Sequence, residues 1–221
     1  FLFGSEIKTL LAHPFVRPRL TRDGILQLML LGPGRIGGSG VLEGICELKP
    51  GACGYVDLHG LHSWTYAKME DRVHTDPLET TVQTVRTLVR DAVHRQLQAD
   101  VAVGTFLSGG LDSSIITALA SEQFAREGKK LHTFSLDYED NQKYFHATKF
   151  QPNADADYVE EMVQAIHSEH HRIVLRPQDV ADALYAAVDA RDLPGMADVD
   201  SSLLLFCKEI RRHVKVAPSG E

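Results

Sequence analysis

The chain has 221 residues, 43% hydrophobic and 24% charged, enough to bury a full core in one domain and part of a second. Its formal charge of −7, from 23 Lys and Arg against 30 Asp and Glu, argues against the basic face that phosphate-backbone binding needs. Apolar stretches are too short to span a membrane, the N-terminus does not read as a signal peptide, and Cys46, Cys53 and Cys207 are too scattered for a metal site or a disulfide framework. The cytoplasm is the expected compartment.

Phe1 to Pro14 reads as a strand end and a helix, and Thr21 to Leu31 as a second helix stopped by Gly32, Pro33 and Gly34. Gly37 to Gly40 is a loop. Val41 to Ala67 alternates among glycines and Pro50, which suits short antiparallel strands and hairpins, with Trp64 and Tyr66 as packing residues. Next, Asp76 as cap, Pro77 as first helical residue and Glu79 as third open a helix whose apolar face runs from Val82 to Leu97 and is expected to pack on a sheet.

Strands then follow at Val101–Leu107, Leu131–Leu136, Ile173–Leu175 and Val214–Ala217. Helices at Ser113–Arg126, Asp157–Ser168, Pro177–Val188 and Ser201–Arg212 separate them. Asp137 to Pro152 is a long polar and aromatic connection, either a lid or a disordered link. Asp155, Asp157, Glu160 and Glu161 read as helix-start acids, and His170, His171, Arg172 and Arg176 as a solvated strand edge. The alternation predicts an α/β fold, a parallel sheet with helices on both faces and ligands at the carboxyl ends of its strands.

Val101 to Ser114, VAVGTFLSGGLDSS, is an apolar run that stops at Ser-Gly-Gly and reopens as a helix after Asp112. That order places a phosphate-sized hole where a strand hands over to a helix N-terminus, with backbone N–H groups and the positive end of the helix dipole pointing outward. Gly109 and Gly110 let the backbone turn and approach a ligand oxygen, while Ser108, Ser113 and Ser114 add hydroxyl donors. Asp112 repels phosphate unless the two share a Mg²⁺ ion, which makes it the candidate metal ligand. A plain strand-turn-helix corner, with Asp112 or Ser113 as a simple cap, needs only one of these residues. No Lys follows the glycines, as in a Walker A loop, and no third Gly completes a dinucleotide fingerprint.

SGGLDSS resembles instead the PP-loop of the ATP pyrophosphatase family, whose members cleave ATP between the α- and β-phosphates and adenylate a substrate. FLFGSEIKTLLAHP (Phe1 to Pro14) resembles the end of the glutaminase domain of glutamine-hydrolysing (class B) asparagine synthetases. LHTFSL (Leu131 to Leu136), His170 with His171, and Ser219-Gly220-Glu221 follow in the order of that family's synthetase domain. Two places depart from it. Gly195 to Ser202 (GMADVDSS) differs from the Thr- and Arg-bearing aspartate-binding segment, which leaves the carboxylate open, and Pro218 stands where a larger aliphatic residue is usual. Pro218 lacks a backbone donor at the strand end.

The resemblance implies an adenine-nucleotide α-hydrolase-like domain at 74–221, incomplete at its C-terminus, preceded at 1–73 by a glutaminase-domain remnant and connecting hairpins. It implies ATP and Mg²⁺ as cofactors. The ATP-binding set would be Leu107, Ser108, Gly109, Gly110, Asp112, Ser113, Ser114, Leu136, Ser219 and Gly220, with Asp112 on the metal and the backbone of Leu107 and Leu136 beside adenine. Glu221 would be catalytic at the adenylation site. From placement alone, Asp192, Asp198 and Asp200, in the loop after the Pro177 helix, with Ser201 where the next helix opens, are the candidates to meet the carboxylate substrate. The implied reaction is adenylation of aspartate, then amidation by glutamine-derived ammonia to asparagine, AMP and pyrophosphate.

Small molecules are thus the expected partners, without nucleic acid or membrane, and a homodimer is left open. The alternatives are a β-lactam synthetase-like or other PP-loop amidotransferase, and a non-catalytic nucleotide-binding module. Because the chain opens on Phe1 and closes at Glu221, a fragment is expected, one that binds ATP with little turnover of its own.

Overall fold

The protein is described here by a computed structural model covering residues 1–144 and 155–220. In chain order its elements are α1 (Ile7–Leu11), α2 (Arg22–Leu31), β1 (Ala52–Asp57), β2 (Gly60–Thr65), α3 (Leu78–Gln96), β3 (Gly104–Phe106) and α4 (Leu111–Arg126). There follow β4 (His132–Tyr138), α5 (Asn141–Tyr144), α6 (Asp155–Ile166), β5 (Glu169–Leu175), α7 (Pro177–Asp182), α8 (Leu184–Arg191) and α9 (Ala197–Ile210). Two compact units result: Phe1–His74 with Leu184–Ser201, and Thr75–Ala183 with Ser202–Glu221.

In the first unit the Thr21 hydroxyl caps α2 by accepting from Gly24 N at 2.9 Å, and buried Gln27 accepts from Ile36 N and the Ser39 hydroxyl. β1 and β2 form one antiparallel hairpin. Trp64 and Tyr66 do not pack as expected. They are 51% and 69% exposed, and the nearest aromatic neighbour of Trp64 is Tyr55 at 6.2 Å between ring centroids.

The second unit is built on a parallel sheet of order β3-β4-β5, with Thr105 beside Thr133, Phe106 beside Phe134, and Phe134 beside His171. Side chains alternate between faces along a strand, so the threonines share one face and the phenylalanines the other. On the first face α4 reaches down through Thr117, whose hydroxyl donates to that of Thr105 at 3.0 Å, both fully buried. On the second, Phe206 and Ile210 of α9 close over Phe134, with the Phe206 ring 5.0 Å from that of Phe106. A second cluster joins Val93 and Leu97 near the end of α3 to Leu119 and Ala120 of α4, Val103 and Leu131.

Several boundaries differ from expectation. Gly110 is the N-cap of α4, so Asp112 and Ser113 lie inside its first turn and the simple-cap reading fails. Only the last turns of α3 are buried, since Val82, Val85 and Leu88 are 42–62% exposed; the helix meets α4. The helix from Pro177 breaks at Ala183 into α7 and α8. β4 runs two residues beyond Leu136, and β5 begins four residues before Ile173. Val214–Ala217 makes only a parallel bridge, Val103 to Val216, on the outer side of β3, although Lys215 N donates to Ala102 O, Gly104 N to Val216 O and Phe106 N to Pro218 O. Pro218 is accommodated because an edge segment can lack a donor while its carbonyl still accepts. Part of the Asp137–Pro152 connection lies outside the described residues.

Of the expected solvated edge, Arg172 and Arg176 are exposed, but His170 and His171 are not. His170 bonds the Thr133 and Ser135 hydroxyls at 2.9 and 3.0 Å, and His171 stacks on Phe134 with centroids 4.9 Å apart. Arg172 pairs with buried Asp137, which also accepts from Tyr138 N and the Asn141 amide. Burial pushes the Asp137 carboxyl up, but Arg172 and the two further donors hold it below the usual carboxylate range.

Candidate functional site: a glycine cradle at the start of a helix

Leu107 continues the ladder from β3, its N–H donating to Phe134 O at 2.8 Å, and the chain then leaves the sheet at its carboxyl end. Ser108, Gly109 and Gly110 make the turn into α4. One hydroxyl ties it together: buried Ser113 Oγ donates to Gly110 O at 3.0 Å and accepts from Ser108 N at 3.2 Å, with Ser108 Oγ 3.0 Å away. Ser113 is therefore a staple of the loop, while exposed Ser108 and half-buried Ser114 remain near its surface.

The two glycines play different parts. Gly109 has φ +84°, and a Cβ there would sit 2.5 Å from Asp155 O at the start of α6 and 3.3 Å from Tyr158 Cβ. At Gly110 a Cβ would meet nothing closer than Ser108 Oγ at 3.5 Å. Gly220 returns the chain to the same place, where a Cβ would lie 2.8 Å from Asp112 Cβ and 3.0 Å from Ser113 N. Three segments thus converge at the N-terminus of α4: the Ser108–Gly110 turn, the start of α6, and Ser219-Gly220 after the edge segment.

This convergence suits an anion. The leading N–H groups of α4 have no carbonyl partner within the helix, and the dipole of its 16 residues adds positive potential there. Asp112 is exposed at this opening. A Mg²⁺ ion takes oxygen ligands and retains waters, so one carboxylate together with phosphate oxygens is a sufficient donor set. The residues present therefore suit phosphate oxygens together with Mg²⁺.

Residues 84–221 match the family profile described as Asparagine synthase. The chain belongs to the asparagine synthase family. Over its whole length it is 51% identical to asparagine synthetase [glutamine-hydrolyzing] 3 of Bacillus subtilis, covering 36% of that protein. It is 33% identical to asparagine synthetase [glutamine-hydrolyzing] 1 of the same organism, over 71% of the chain and 23% of the relative. The human asparagine synthetase [glutamine-hydrolyzing] is 28% identical over 95% of the chain and 35% of its own length. The chain spans about a third or less of these curated relatives.

Against this asparagine synthase background, the expected site residues fall into four groups. Ser108, Gly109, Gly110, Asp112, Ser113 and Gly220 are brought together, with Ser114 on the first turn of α4, Ser219 beside Gly220 and Leu107 just before the turn. Leu136 is within β4, opposite Ile173, rather than at the strand end. Asp198 and Asp200 lie in the first turn of α9, not in a loop, and Ser201 follows them in that helix. Within the first unit Asp200 is buried, paired with Arg191 and accepting from Met196 N at 2.7 Å, and Ser201 donates to Ala197 O at 3.1 Å. Glu221 lies outside the described residues.

The turn's third wall was missed in the sequence. Asp155 and Tyr158 come 46 and 49 positions after Gly109, and no local pattern announces that the carbonyl of Asp155 faces that glycine. No described helix is long and apolar enough to cross a membrane.

Proposed function

We propose that this chain is the nucleotide-binding part of a glutamine-dependent asparagine synthetase, acting in the cytoplasm, in which ATP adenylates the side-chain carboxylate of aspartate and ammonia then displaces AMP. The observation that carries this reading is the convergence on the N-terminus of α4 of the Gly109 turn, which lies against the Asp155 carbonyl, and of Gly220, which lies against Asp112 and Ser113, in a chain of the asparagine synthase family. The N–H groups of α4 and the Ser108 hydroxyl hold the phosphates, and Ser113 fixes the turn that presents them. Asp112 would hold Mg²⁺, which when bound would supply positive charge to offset that of the phosphates. Adenylation makes amidation feasible because AMP leaves a carbonyl far more readily than oxide or hydroxide. Leu107 and Ser219 approach the nucleoside by their backbone.

Aspartate-dependent exchange of labelled pyrophosphate into ATP tests the reading, in the enzyme that carries this segment. Exchange that requires aspartate, and falls by about a hundredfold or more in Asp112→Asn, is expected, since electrostatic groups at phosphorus are worth about 10²–10³ each. Exchange with another carboxylate but not with aspartate would support a different amidotransferase, and ATP binding without exchange for any carboxylate would support a binding module.

A further inference from the structure

At the other end of the sheet, His132, Glu169 and His171 meet. His132 opens β4, and Glu169 and His171 are the first and third residues of β5. The parallel register sets His132 beside Glu169 and Phe134 beside His171, so all three functional side chains project from one face. This is the amino end of the strands, opposite the turn at Ser108.

His132 Nδ1 lies 3.0 Å from His171 Nε2 and 3.7 Å from Glu169 Oε1, and His171 Nε2 is 3.9 Å from that same oxygen. A hydrogen bond between two neutral imidazoles accounts for the first distance. It leaves the carboxylate beyond hydrogen-bond reach of both rings. A triangle with these sides has a circumradius of about 2.1 Å, within the roughly 2.0–2.2 Å of zinc bonds to imidazole nitrogen and carboxylate oxygen.

We infer that His132, His171 and Glu169 form a site for a divalent transition ion of the zinc type, binding independently of the nucleotide. Neighbouring rings confine the site: His171 stacks on Phe134, meets His132 edge to edge through their hydrogen bond, and has the His213 ring centroid 4.0 Å away, so an ion takes the place of the proton that the two imidazoles share. Both imidazoles are mostly buried, while Glu169 is 55% exposed and leaves a side open to water as further ligand. An ion there joins the amino ends of β4 and β5, and so stabilises the unit that carries the cradle.

The test is titration of the chelator-treated chain with Co²⁺, read by its visible d–d absorption, with Zn²⁺ as competitor. One saturable site without a thiolate charge-transfer band is expected, together with a rise in Tm on adding Zn²⁺. Glu169→Gln changes an exposed residue and keeps the fold. It should weaken binding about tenfold or more, because even outer-shell changes cost about ten- to a hundredfold. His132→Gln with His171→Gln should abolish it. No saturable binding, binding of unchanged strength in Glu169→Gln, or a cobalt–thiolate spectrum would overturn the inference.

Discussion

Gly109→Ala is expected to weaken ATP binding by about a hundredfold or more, whereas Gly110→Ala leaves the fold intact. At Gly109 the backbone has φ +84°, and the new methyl would lie 2.5 Å from the carbonyl oxygen of Asp155, which belongs to backbone and cannot swing aside. Left-handed strain alone costs on the order of 1–3 kcal/mol, and the clash adds to it. Each 1.4 kcal/mol is about tenfold in affinity if the displaced turn must re-form to bind. At Gly110 the nearest neighbour is a hydroxyl at 3.5 Å, so a methyl fits the free protein. Loss of ATP affinity in Gly110→Ala with unchanged urea unfolding would then report the approach of the ligand itself. Calorimetry of both variants checks the pair, and wild-type affinity in Gly109→Ala would contradict the cradle.

Phe134→Ala should cost about 3–5 kcal/mol, the range for deleting a fully buried aromatic side chain. Phe134 is 0% exposed at the middle of the sheet, under Phe206, Ile210 and Val214. Its ring also stacks on His171, so its loss leaves a cavity between sheet and helix that the strands cannot close. Phe134→Leu keeps most of that volume and should cost less than about 1.5 kcal/mol. Urea denaturation followed by circular dichroism measures both, and a loss below about 1 kcal/mol in Phe134→Ala would contradict the packing described.

Strand and helix alternation, the parallel sheet and the family were legible because each rests on local order: apolar runs, glycines at turns, and SGGLDSS between a strand and a helix. What was not legible depends on residues far apart. Nothing near Val82 or Leu88 says that the first half of α3 stays exposed, since amphipathic spacing records a face but not its partner. Asp198 and Asp200 read as loop, with the helix opening only at Ser201, because Asp favours turns, yet acids in a first turn also stabilise a helix start, and α9 begins at Ala197. His170 and His171 read as polar edge residues because their partners, Thr133, Ser135 and Phe134, lie more than 30 positions away on β4. In the turn, the need for glycine was legible, but not which glycine is steric and which leaves room.

Calorimetric titration of this chain with ATP, with and without Mg²⁺, beside Asp112→Asn, tests the central claim most directly. Asp112 is exposed, so the variant keeps its fold while losing the carboxylate charge. Saturable ATP binding that is strengthened by Mg²⁺ in the parent, and no longer so in Asp112→Asn, is the predicted result. Absence of ATP binding by the folded chain, or an equal effect of Mg²⁺ in both proteins, would contradict it.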